Sequence, residues 1–89
     1  MEVLKERGQR YGSFIDNAKT THFFKEQMRD SPSWKMMYAD QREALDMIAH
    51  KISRIINGDP DYADSWVDIA GYATLVADRL KNSERQERV

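Results

Sequence analysis

The chain contains no cysteine, so neither disulfides nor thiolate metal sites are open to it. No apolar run approaches the ~18 residues of a membrane span, and no N-terminal apolar core suggests a signal peptide. Those two absences predict a cytoplasmic protein with no membrane partner. Charge of one sign is also missing. With 14 Lys and Arg against 15 Asp and Glu, the net charge is −1, whereas a nucleic-acid clamp shows a clear basic excess. Strand signals are nearly absent, because no stretch alternates apolar and polar residues for long and no Asn-Gly or Asp-Gly turn joins β-branched runs. A glycine-rich phosphate loop, a His-Glu-x-x-His zinc motif and a usable Ser-His-Asp order are likewise missing.

What is present is helix punctuation. "SFID" at Ser13–Asp16 reads as a capping box that opens a first helix running to about Arg29. "DSPSW" at Asp30–Trp34 breaks it, since Pro32 disfavours helix at Ser31 and suits the first turn of the next. Trp34, Met37, Gln41, Leu45, Ile48, Ile52 and Ile55 then recur at steps of three and four, one apolar stripe of a second helix. Asn57-Gly58 ends that helix, and Asp59 caps a third with Pro60 at its first position. Tyr62, Trp66, Ile69, Ala73, Val76 and Leu80 repeat the stripe. The expectation is one all-α domain over residues 1–89, a short three-helix bundle whose second and third helices form an antiparallel hairpin. Its ordered core spans about 9–81, and the charged ends fray or serve a partner. Phe14, Phe23, Phe24, Trp34 and Trp66 are expected in the core. A chain of 89 residues buries a modest fraction of its surface, the second helix is apolar over Trp34, Met36, Met37 and Tyr38 at one end, and Val67 lies off the stripe of the third. A homodimer or higher homo-oligomer is the economical way to bury it.

Chemistry concentrates in "GDPDYADSWVDIAGYA", Gly58–Ala73. At ~100° per residue, Asp61, Asp64, Asp68, Gly71, Tyr72 and Leu75 share one side of the third helix, beside its apolar stripe. Asp64 and Asp68, four apart, can reach one Mg²⁺. Acids in a first helical turn also complement the helix dipole, which accounts for Asp59 and Asp61 without any function. Asp68 lies too far along the helix for that account. Gly71 allows close approach of a ligand or helix, and Tyr72 shares the acid side. On the second helix, Lys51 and Arg54 flank the stripe. They can bind phosphate, or they can pair with Asp64 and Asp68, in which case the acids form an ion network and not a metal site. His50 reads as a surface partner of Asp46, and His22 carries no stronger signal.

"LDMIAHKISRIINGDPDYADSWVDIAGYATL", Leu45–Leu75, resembles a family of small phage-encoded and prophage-encoded domains of unknown function. The shared features are Lys51 and Arg54, a short polar turn, then Asp64, Asp68, Gly71 and Tyr72. "RGQRYGSFIDNA", Arg7–Ala18, resembles the family's opening through Tyr11-Gly12 and Asn17. That family is distantly similar to the all-α, MazG-like and dimeric dUTPase-like nucleoside triphosphate pyrophosphohydrolases. The resemblance implies helical oligomers that hold Mg²⁺ on acids of two successive helices and release a monophosphate and pyrophosphate. It departs from those enzymes at Ser65, where a paired acid falls, and at Lys51 and Arg54, which stand where acids are expected. Three readings follow. The chain is a Mg²⁺-dependent pyrophosphohydrolase, a nucleotide-binding module on the same scaffold, or a phage accessory protein that binds a host protein in the host cytoplasm.

Overall fold

The computed structural model describes residues 8–87, with side chains through residue 83. Three helices carry the fold: α1 (Phe14–Arg29), α2 (Ala39–Asn57) and α3 (Ala63–Glu87), with a helical turn over residues 8–11 and a 3₁₀ turn at Trp34–Met36. The all-α expectation holds. Ser13 caps α1 by accepting the Asp16 amide at 3.1 Å, although the bond runs one way and the capping box is half formed.

Three boundaries differ from the sequence pattern. The second helix begins at Ala39, not near Pro32, because Met37 and Tyr38 are extended and the Gln41 side chain accepts the Tyr38 amide at 2.9 Å. Trp34 and Met37 therefore precede the helix that their spacing joined. The third helix begins at Ala63: Asp59 accepts the Asp61 amide on its side chain at 2.9 Å and the Tyr62 amide on its carbonyl, closing a turn where a helix start was expected. At the far end, α3 continues to Glu87, past the residue near 81 where the charged end was expected to fray. The other charged end, residues 1–7, lies outside the described residues, as do residues 88 and 89.

α2 is the central element. α1 packs on one flank of it and α3 on the other, and α1 and α3 scarcely touch. Ser53 and Ile55 show why. Two residues apart on a helix, they point about 160° apart, yet both are buried, at 0% and 8% exposure. Toward α1, the Ser53 and Thr21 hydroxyls share a buried 2.8 Å hydrogen bond, and Ser53 also bonds the Ala49 carbonyl at 3.0 Å. Toward α3, Ala44 and Ile55 are covered, as is Ser65 on α3 itself. Small side chains occupy both contacts, with Ile55, among the described residues, the one large apolar side chain buried there. The result is a single layer of helices with an α2–α3 hairpin, not a closed bundle. Its buried apolar core is correspondingly spare: Ala44, Ala49 and Ile55.

One end of the layer is tied by backbone contacts. The Asp59 amide donates to the Arg10 carbonyl at 2.8 Å, and Asn17 bonds both the Tyr11 carbonyl and Asn57. Gly12 has φ +81°, and a Cβ there would lie 2.5 Å from the Asn57 carbonyl oxygen. Gly58 is not in the left-handed region expected of a helix-ending glycine, since its φ is −123°. It is glycine because the Arg10 and Tyr11 backbone occupies the space a Cβ would take. Gly12→Ala combines a disfavoured φ with a backbone clash and is expected to cost about 2–4 kcal/mol. Urea unfolding of that variant measures the loss. An unchanged midpoint would show that this closure contributes nothing to stability.

Candidate functional site

The layer has two faces because α2 has two sides left over from its flanks. One side carries Leu45, Ile48, Ile52 and Ile56; the other carries His50 and Arg54, with Lys51 at its border with α3. The polar face gathers the residues singled out by the sequence and divides them.

Lys51 and Asp68 meet across the hairpin at 3.1 Å, with side chains 13% and 46% exposed. Asp64 makes a different contact: the Tyr62 hydroxyl donates to its carboxylate at 2.8 Å, which raises the Tyr62 pKa. Arg54 joins neither acid. Its guanidinium lies 5.0 Å from the centre of the Tyr11 ring, and no carboxylate among the described residues pairs with it. Tyr11 meets Tyr62 edge-on at 5.7 Å, and Arg10 covers the other ring at 4.7 Å while its guanidinium donates to the Tyr62 hydroxyl. This cation–aromatic ladder links the N-terminal segment, α2 and the α2–α3 turn.

Two open clefts meet at Arg54. The larger, about 410 Å³, is lined by Tyr11, Gly12, Ser13, Phe14, Asn17 and Arg54. The smaller, about 180 Å³, shares Phe14, Asn17 and Arg54 and adds Thr21, His22 and His50. His50 is therefore more than the surface partner of Asp46 that its spacing suggested. Burial lowers its pKa, and the Lys25 and Arg54 charges add to the effect while Asp46 opposes it. One turn earlier, Asp46 buries a carboxylate oxygen that has no hydrogen-bond partner.

Gly71 and Tyr72 lie elsewhere. With Val67, Asp68 and Leu75 they line an open groove of about 450 Å³. A Cβ at Gly71 would meet nothing within 4 Å, so no helix among the described residues approaches it closely. The groove runs along α3 itself, since every residue that lines it belongs to that helix. Among the described residues no group of three His, Cys, Asp or Glu side chains could hold a metal ion. Asp64 and Asp68 lie one turn apart on α3, where one carboxylate holds the Tyr62 hydroxyl and the other the Lys51 ammonium group.

The aromatic residues expected in the core stand largely outside it. Phe14 is 89% exposed, Phe23 59% and Trp66 55%, while Phe24 and Trp34 are half-buried. Lateral packing of one helix layer leaves nothing above them. The sequence reading also left out an ion pair at the opposite end of the hairpin. Arg79 donates two 2.7 Å bonds to Asp40 and lies 4.9 Å from the Tyr38 ring. Those bonds hold the Asp40 carboxyl below its usual pKa. Thirty-nine residues separate the partners, so no local spacing announces them.

A family model described as "Domain of unknown function (DUF6378)" matches residues 2–80. No curated protein and no solved structure matches the chain.

The His50 environment sets a pH dependence. The folded state binds the imidazole proton less readily than the unfolded chain. His50 thus contributes stability that is complete above about pH 6.5 and declines as pH falls through the folded value. His50→Gln should flatten that part of a stability–pH profile measured by urea unfolding. A profile unaltered by His50→Gln would show that another group carries it.

Proposed function

The chain belongs to the DUF6378 family, and we propose that it binds a phosphorylated ligand of the nucleotide class on the polar face of a MazG-like helical scaffold, with Arg54 as the phosphate-binding residue. The observation that carries this reading is the division of the two cations. Lys51 is committed to Asp68, while Arg54 has no carboxylate partner among the described residues and opens onto both clefts. A guanidinium held against an aromatic ring keeps its N–H groups available, and its planar fork suits phosphate oxygens. Asn17, Ser13 and His50 supply further polar groups around the same space, and Tyr11 and Phe14 offer apolar surface to a base or sugar. A site with one strong anion-binding group and aromatic walls recognises and retains a ligand; it needs no metal to do so.

Hydrolysis is the second reading, favoured by the placement of Asp64 and Asp68 one turn apart beside the groove at Gly71 and Tyr72. One oxygen of each carboxylate already holds the Tyr62 hydroxyl or the Lys51 ammonium group, and no catalytic step is derived through a metal there. A phage-encoded accessory protein that docks on a host protein is the remaining alternative, and the exposed Met36 and Val67 are its support.

Thermal unfolding with a panel of nucleoside mono-, di- and triphosphates, with and without Mg²⁺, separates the three. A ligand that binds only the native state raises the midpoint by mass action. The expected result is a rise with at least one phosphorylated nucleotide, reduced tenfold or more in apparent affinity by Arg54→Ala. Lys51→Ala should instead lower the midpoint of the free protein, since the Asp68 pair is lost. Monophosphate and pyrophosphate in the same samples, absent with Asp68→Ala, would favour hydrolysis. No shift with any nucleotide would overturn the binding reading and move the search to a protein partner.

A further inference from the structure

A helix layer needs a second layer, because each helix leaves an apolar stripe that only another element can cover. Among the described residues the incompletely covered face is that of half-buried Leu45, Ile48 and Ile52 and exposed Ile56 on α2, continued by exposed Trp66 and Ala73 on α3. From Gln41 to Ile56 the α2 stripe holds no charged residue. We propose that a second copy of this chain covers this face, with α2 lying antiparallel to the partner's α2 across a twofold axis near Ile48.

Three observations point to a copy of the same chain. The face carries both a knob and a hole. Ile56 stands 60% exposed near one end of α2. Near the other end an open groove of about 270 Å³ lies between α2 and α3, lined by Met37, Gln41, Leu45, Ile48, Ala73 and Val76. A twofold axis midway along the stripe sets Ile56 of one protomer opposite Gln41 at the partner's groove, and does the reverse at the same time. The same axis sets Leu45 opposite the partner's Ile52, apolar against apolar. The stripe's lack of charge means that pairing it with itself opposes no like charges. The area is also adequate. Two adjacent helices about 28 Å long and about 10 Å apart present on the order of 600 Å² in plan, before side-chain relief is added. A standard interface takes about 800 Å² from each partner. The polar face with Arg54 points away from this contact, so the inference stands independently of the ligand.

Sedimentation velocity of the full chain at micromolar concentration should show a dimer. Ile56→Glu places a charge in the proposed contact at a position already exposed in the single chain, and should weaken association about 100-fold. Because the chain has no cysteine of its own, Ile48→Cys treated with a short bis-maleimide should give a covalent dimer, and Phe23→Cys on the outer side of α1 should not. A monomeric wild-type chain would overturn the proposal. So would a dimer that survives Ile56→Glu but is lost on Val67→Glu, which would place the contact at the outer edge of α3. If Ile56→Glu fails to fold, the two cysteine variants decide: cross-linking through Phe23→Cys and not Ile48→Cys refutes this face.

Discussion

The buried Thr21–Ser53 hydroxyl pair holds α1 on one flank of α2, while Ala44 and Ile55 hold α3 on the other. A helix gripped on opposite flanks has only two sides left, and every other property of the molecule follows from what occupies them. Hydroxyls and methyl groups occupy much of the two contacts, at the expense of buried apolar volume. A deep core cannot form in such a layer. Large side chains that would fill one are turned to the free sides or the outer edges, which is why Phe14, Phe23 and Trp66 are exposed.

Charge is distributed in keeping with that plan. The two cross-hairpin ion pairs, Lys51–Asp68 and Arg79–Asp40, clamp α2 against α3 at separate points. Both include a substantially exposed partner, so each adds modestly to stability and more to register. Arg54 stands apart. It is packed on Tyr11 and ringed by polar groups with no counter-charge among the described residues, and a guanidinium in that state is where an anion gains most.

The helices and the hairpin were legible in the sequence because their signals are local. Ser13 marks a cap, Pro32 marks a break, and stripes at steps of three and four mark helices. The first residues of α2 and α3 were not legible. Tyr38 and Gln41 form a cap that lacks the usual cap residue, and Asp59-Pro60, which reads as a helix start, closes a turn instead. The Lys51–Asp68 pair was legible as one of two options for the same side chains. The two clefts at Arg54 were not, since they set Asn17 of the first helix beside Arg54 of the second, with Ser13 at one and His50 at the other, and no spacing rule joins residues so far apart.

By itself the sequence determined an all-helical chain, the order and approximate extent of its helices, and the acids and cations that line its second and third. Those depend on contacts within a few residues, which periodicity and capping report directly. Only the tertiary structure decided that the helices lie side by side, that Lys51 takes Asp68 while Arg54 opens onto the clefts, and that Ile55 is buried against α3 while Ile56 is left exposed. Each of those outcomes depends on which flank of α2 is used, and a stripe wide enough to pack on either side leaves that choice to the neighbouring helices.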